Sequence, residues 1–309
     1  MPPIPNSPRR ANVMSDDAGQ RTIKVDYLAR VEGEGALYVR TAGRNVEEVR
    51  LKIFEPPRFF EALLQGRAFS EAPDITARIC GICPVAYQMS SVHAMEQAFD
   101  VTMPPHIRRL RRLLYCGEWI ESHMLHAMLL NAPDFLGLPD AVAMAQDHRT
   151  MLTTGLRIKK AGNAIVSLLG GREIHPINVR VGGFYRLPAA AAWQEVISEL
   201  EWSREAIIEV LDWVSGFEFP EITLDGDLMA LTHPDDYPFC EGELQTIKPP
   251  ATITMTEYEA HFIELHLPHS TALHARRKDT DAPYLTGPMA RYLLNRERLP
   301  AGVREAGRA

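Results

Sequence analysis

The chain is poor in cysteine. Four in 309 residues cannot make a disulfide framework, and a reducing, cytoplasmic setting is expected. It has no apolar run of the roughly 18 residues that a bilayer span requires, so no transmembrane segment is predicted. It has no surplus of basic charge either. Lys and Arg number 33 against 40 Asp and Glu, a formal net charge of −7, which gives no electrostatic reason to expect nucleic acid or an acidic membrane as a partner. Internal repeats and low-complexity tracts are absent. What the chain does have is 46% hydrophobic and 24% charged residues, the composition of a globular protein with a sizeable core.

Residues 1–20 are rich in Pro, Asn, Ser and Asp. Arg9-Arg10 is not followed by the apolar stretch of a twin-arginine export signal, so the segment reads as a disordered tail. Over 22–56 the pattern is extended. Val46, Val49, Leu51 and Ile53 are interleaved with Glu48, Arg50 and Lys52, and Gly43-Arg44-Asn45 supplies a turn from a partner strand at Ala36–Val39. From Pro57 the period becomes helical. Helices are expected around Phe60–Leu64, from Pro84 through Phe99, from His106 to Asn131, from Thr150 to Leu169 and from Ala189 to Val214. Residues 216–252 read as an irregular excursion, Glu257–Leu265 as a further helix, and a last helix starts near Val303. The expectation is an α+β chain, predominantly helical. The tail, 1–20, precedes one domain, 21–309, with a small N-terminal antiparallel sheet (22–56) followed by a large helical bundle (57–309).

Cys80-Gly81-Ile82-Cys83 is the one sharp chemical signal. Its second cysteine directly precedes a proline-led helix, where the helix dipole favours thiolate, the form that binds metals or attacks disulfides. A structural zinc site, a thioredoxin-like dithiol, half of a larger thiolate site and two inert buried cysteines all remain open on this physics. Zinc normally wants a second cysteine or histidine pair, and Cys116 and Cys240 are solitary. A redox dithiol expects a buried strand leading into the motif, and Ile75–Ile79 is short and polar for one.

The neighbouring residues change the weights. Arg78–Gln88 around the pair resembles the N-terminal cysteine motif of nickel–iron hydrogenase large subunits. Arg30-Val31-Glu32-Gly33-Glu34-Gly35, Arg58–Glu61 with Gln65-Gly66-Arg67, Ile174–Gly183 and Tyr284–Pro288 are similar to other motifs of that family, in the same order. The resemblance spans about Thr22 to Ala309 and is nearest to the cytoplasmic, bidirectional, NAD(P)-linked branch. It implies the large-subunit fold and the reversible oxidation of dihydrogen at a nickel–iron centre whose iron carries carbon monoxide and cyanide. It implies Cys80 as a terminal nickel ligand, Cys83 as the ligand bridging nickel and iron, Glu32 as the carboxylate relaying the proton, and Glu61 as a magnesium ligand. It further implies a small subunit with Fe–S clusters, flavin-bearing diaphorase subunits exchanging electrons with NAD(P), and maturation proteins.

Two departures stand out. Tyr87 takes a position where many members carry histidine, a change that removes no ligand. The family's second cysteine pair, near the C-terminus, has no counterpart, since no cysteine follows Cys240. The expectation is therefore an incomplete large subunit, inactive as it stands, with non-catalytic metal binding or thiol-redox chemistry as the alternative. His123 with His126, and His266 with His269, are spaced to meet on one helix face and are expected to be structural. His175, before Pro176, is a candidate for the neighbourhood of the site. Gly33-Glu34-Gly35 lacks the third glycine and βαβ pattern of a nucleotide fold.

Overall fold

A computed structural model describes residues 12–15, 20–56, 58–223 and 226–306. In chain order the elements are β1 (Asn12–Ser15), β2 (Gln20–Val25), β3 (Gly35–Ala42), β4 (Asn45–Ile53), α1 (Phe60–Leu64), α2 (Ala72–Thr76), α3 (Pro84–Ala98) and α4 (Pro105–Met124). A π-helical turn, Leu125–Asn131, then leads into α5 (Ala132–Phe135), α6 (Ala141–Asp147) and α7 (Arg149–Gly170). These are followed by β5 (Val179–Arg180), β6 (Gly183–Phe184), α8 (Trp193–Ser215), β7 (Asp227–Thr232), β8 (Glu243–Ile247) and β9 (Pro250–Ile253). The remainder is α9 (Tyr258–His261), β10 (Phe262–His266), β11 (Leu273–Arg277), β12 (Tyr284–Leu285), α10 (Pro288–Asn295) and α11 (Ala301–Ala306). The described residues fall into two compact units, Met1–Arg58 with Ile253–Leu285, and Phe59–Thr252 with Thr286–Ala309.

In the first unit β1 to β4 form an antiparallel meander in sequence order. The register pairs Val13 with Ile23, Ile23 with Val39, and Val39 with Val49, with a bulge at Arg40/Thr41. The expected turn at Gly43-Arg44 is present, Gly43 taking the left-handed φ of +58° that the tight reversal requires. Val46, Val49 and Leu51 nevertheless remain exposed, so the alternation produced the strand without a buried face. A second hairpin, β10–β11, pairs Phe262 with Arg277. It connects to the first sheet through Thr271, whose N–H donates to the Ile53 carbonyl (2.8 Å) and whose hydroxyl donates to those of Ile53 (3.1 Å) and Glu55 (2.8 Å).

The second unit is built on α3, α4, α7 and α8. Its core joins Val85, Met89 and Val92 of α3 to Ile107 and Leu114 of α4, Ile165, Val166 and Leu169 of α7, and Val196 of α8. Two glycines bring α4 and α7 together. A Cβ on Gly162 would lie 2.6 Å from the Gly117 carbonyl oxygen and the Glu121 nitrogen, and one on Gly117 would lie 2.9 Å from the Ile165 Cβ. Both clashes are with groups that cannot swing away, so Gly162→Val is expected to lower the unfolding free energy by about 2–4 kcal/mol, read by urea titration. α7 ends within a residue of the expected Leu169, with Gly171 at φ +85° and its N–H bonded to the Ser167 carbonyl.

Three sequence expectations need correction. Asn12–Ser15, assigned to the tail, pair with β2, while the rest of residues 1–19 lies outside the described residues. The excursion at 216–252 contains β7, β8 and β9. Asp227 Oδ1 accepts from the N–H groups of Ile247 (2.8 Å) and Lys248 (2.7 Å), tying the first strand to the end of the second. Glu257–Leu265 is one helical turn followed by strand β10, because the short apolar run at Phe262-Ile263-Glu264-Leu265 fits either period and its pairing with β11 decides. Among the described residues from 58 on, the chain is thus helical as far as α8 apart from the short β5–β6 hairpin, and mixed beyond it.

Candidate thiolate site

The cysteine pair sits where α2 hands over to α3. Pro84 is the first residue of α3, at the position where its missing N–H leaves no donor unsatisfied, and Cys83 is the N-cap. The Cys83 N–H points at Cys80 Sγ (3.1 Å), and the two sulfurs are joined in a disulfide across a Cα–Cα separation of 5.4 Å. Both residues are half-buried. In the reduced state the same pair offers two adjacent soft donors to a single ion, which suits a thiophilic transition metal rather than a hard cation. Two donors do not close a coordination sphere, so the pair fits part of a sulfur-rich centre.

The cradle around the pair comes from other elements of the second unit. Ala77, at the end of α2, is fully buried, and its carbonyl accepts from Nδ1 of His175 (2.7 Å). His175 takes a left-handed φ of 52°, which turns the chain into Pro176. Gln88, one turn into α3 and 1% exposed, donates from Nε2 to the Pro176 carbonyl (2.7 Å), while its Oε1 has no hydrogen-bond partner among the described residues. His175 therefore acts as a brace between the Pro176 loop and the approach to Cys80.

The first two free amides of α3 are taken by Glu118, which projects from α4. Val85 N–H donates to Oε2 (2.5 Å) and Ala86 N–H to Oε1 (3.2 Å). Glu118 is 3% exposed, and burial pushes its carboxyl up to about 7, against the pull of the two amides and with Glu121 pushing the same way. Sequence reading passed over this residue. The signal was available: Ile107, Arg111, Leu114, Glu118, Glu121 and Met124 follow one another at spacings of four and three, so three charges lie within a stripe that is otherwise core. Glu121 meets Lys159 of α7 (2.9 Å), and Arg111 meets Glu96 of α3.

The other expected site residues are distributed as follows. Glu32 lies in the first unit, exposed, in the loop between β2 and β3 and beside Gly33 at φ +83°. Glu61 is exposed on α1 and joins no cluster of three metal-ligating side chains among the described residues. Cys116 and Cys240 are free thiols outside any such cluster, and burial raises both above the usual thiol range. His126 Nδ1 donates to the Ser122 carbonyl (2.6 Å), and burial lowers His123 beside Trp119, in keeping with structural roles. His266 and His269 do not share a helix face as their spacing suggested, since one is on β10 and the other in the turn after it.

Comparison with known proteins converges on one family. The profile of the nickel-dependent hydrogenases matches residues 58–155, from the start of α1 into α7. The alpha subunit of sulfhydrogenase 2 from Pyrococcus furiosus is 45% identical over 174 residues, 56% of this chain and 42% of that one. The alpha subunit of sulfhydrogenase 1 from the same organism is 30% identical over 284 residues, 92% of this chain and 66% of that one. Among solved structures, an NAD+-reducing nickel–iron hydrogenase in the H2-reduced state superposes with a TM-score of 0.81 at 25% identity, over 88% of this chain and 66% of that one. A nickel–iron–selenium hydrogenase of Dm. baculatum shares the fold, with a TM-score of 0.68 at 21% identity. The chain thus spans between about two-fifths and two-thirds of the length of the relatives and of the first of these structures.

Proposed function

The chain belongs to the nickel-dependent hydrogenases as a large (alpha) subunit, and on that premise we propose that it contributes Cys80 and Cys83 to a nickel–iron centre for reversible dihydrogen oxidation. The observation that carries this reading is the dithiol at the start of α3, inside the matched residues 58–155. The metal pair, when bound, supplies the Lewis acidity and the redox capacity for heterolytic cleavage of dihydrogen. This chain's residues do the rest. Cys80 and Cys83 would hold the metals as thiolates, Cys80 on nickel and Cys83 toward both nickel and iron, and the iron would bring carbon monoxide and cyanide as its own ligands. Glu32 accepts the released proton and passes it outward, a task suited to a carboxylate on a glycine-flanked loop. Glu61 would give one carboxylate to magnesium, a hard cation that takes oxygen donors and keeps several waters.

Electrons leave through a small subunit with Fe–S clusters and reach NAD(P) through flavin-bearing diaphorase subunits. The resemblance to an NAD+-reducing enzyme favours that route. Maturation proteins insert the metals. The likeness to the NAD(P)-linked branch favours a cytoplasmic location; among the described residues no helix is long and apolar enough to cross a membrane.

The test is the complex containing this chain together with the polypeptide that supplies the second thiolate pair, purified without oxygen. It should reduce a viologen dye with dihydrogen, and Glu32→Gln should lower that rate about a hundredfold or more while leaving nickel content unchanged. Undiminished activity in the nickel-loaded variant would remove Glu32 from the proton path. The Cys80–Cys83 disulfide favours a second reading, dithiol–disulfide exchange, which requires the isolated chain to reduce insulin catalytically. No insulin reduction eliminates it.

A further inference from the structure

A helix N-terminus ordinarily takes its cap from its own chain, with Ser, Thr, Asp or Asn at the N-cap accepting from the second or third amide. In α3 that position is Cys83, which makes no side-chain cap bond, and the next residue, Pro84, has no N–H. Its sulfur is committed elsewhere, so the capping is done from a distance. Glu118, 32 and 33 residues further along, places one carboxylate oxygen on each of the two free amides, Val85 and Ala86. α4 can present it there because the Gly117–Gly162 contact seats that helix against α7. No lysine, arginine or histidine pairs with Glu118 among the described residues, although it is buried. Among the described residues, what compensates the carboxylate is the pair of amides behind the cysteine pair.

We propose that Glu118 is a positioning residue for the metal-binding thiols. By gripping the first turn of α3 it fixes the backbone at Cys83, keeps its N–H directed at Cys80 Sγ, and so holds the two sulfurs at a separation that one ion can bridge. This rests on the reading of Cys80 and Cys83 as ligands, but its test does not. The full-length chain is equilibrated with glutathione, in the exchange where protein dithiol plus oxidised glutathione gives protein disulfide plus two reduced glutathiones. The equilibrium constant reports how well the fold pre-assembles the two sulfurs.

Glu118→Ala should lower that constant about tenfold. Glu118→Gln, whose side-chain carbonyl still accepts from one amide, should stay within about threefold of the parent. If Glu118→Ala does not fold, Glu118→Asp carries the test, because its shorter side chain cannot reach both amides, and a fall of about threefold or more is expected. A folded Ala or Asp variant with a lower melting temperature but the parental glutathione equilibrium overturns the proposal, since that is the signature of a cap and nothing more. Cobalt(II) added to the reduced parent separates the two claims. Absence of a sulfur-to-cobalt charge-transfer band defeats the ligand assignment, whereas a parental glutathione equilibrium in the variants defeats the role of Glu118.

Discussion

Arg111→Met is expected to destabilise the helical unit by about 3–5 kcal/mol, because it leaves a carboxylate buried without its counter-charge. Arg111 is 2% exposed and Glu96 6%. The guanidinium grips the carboxylate with two bonds, Nη1 to Oε2 (2.7 Å) and Nη2 to Oε1 (2.6 Å), and Nη2 also donates to the Arg180 carbonyl (3.2 Å). The Gly182 N–H adds a third donor to Glu96 Oε1 (2.8 Å). One ion pair therefore ties α3 and α4 to the β5–β6 hairpin. Burial alone would raise the Glu96 carboxyl, but the bonds from Arg111 and Gly182 and the charges of Arg111 and His93 outweigh it and hold the group below its ordinary 4.5.

The pH dependence follows from that sign. In the parent, the contribution of Glu96 is fully present above the unfolded value of about 4.5 and is lost as pH falls through the lower folded value. In the variant only the Gly182 amide and the weaker influence of His93 are left to oppose burial, the folded value moves above the unfolded one, and the pair's contribution to stability falls as pH rises from about 4.5. The parent–variant gap should accordingly be widest near neutrality and narrow in acid. Urea unfolding followed by tryptophan fluorescence at both pH values measures it, since all four tryptophans (119, 193, 202 and 213) lie in this unit. The double variant Glu96→Leu/Arg111→Met should recover most of the loss. A gap independent of pH would refute the charge argument.

Cys83→Ser is expected to abolish tight binding of thiophilic metal, lowering affinity for cobalt(II) by about a hundredfold or more. A serine hydroxyl stays protonated at neutral pH and is a hard oxygen donor, so it replaces neither the charge nor the softness of the thiolate. The fold should tolerate the change well. Residue 83 is the N-cap of α3, where serine is among the preferred residues and its hydroxyl can share the Ala86 amide with Glu118. A melting temperature at or above that of the parent, combined with lost metal, assigns the defect to the sulfur. Retained stoichiometric binding in Cys83→Ser would displace the centre from this pair.

Much of this architecture was legible beforehand. The long helices announced themselves because their cores recur at spacings of three and four and their ends carry proline or glycine, as at Pro84 and Gly171. The cysteine pair was legible because a proline directly follows its second member. The strands beyond residue 226 were not, since they are short and their apolar residues satisfy either period until a partner strand fixes one. Arg111, Glu118 and Glu121 were hidden for a different reason. The apolar register through Ile107, Leu110, Leu114 and Ile120 is enough to predict the helix without them. The burial of the charges becomes visible only when each meets its partner, Glu96 from α3, the amides of α3, or Lys159 from α7.

The bonds from Thr271 to Ile53 and Glu55 join residues 218 and 216 positions apart. During synthesis the N-terminal meander emerges from the ribosome first, yet its last strand cannot acquire these partners until more than two hundred further residues have followed. The helices between, whose contacts are nearer in sequence, are free to assemble in the interval. Through that interval the meander is paired within itself, and only the carbonyls of Ile53 and Glu55 at its far edge wait for the donors that Thr271 brings.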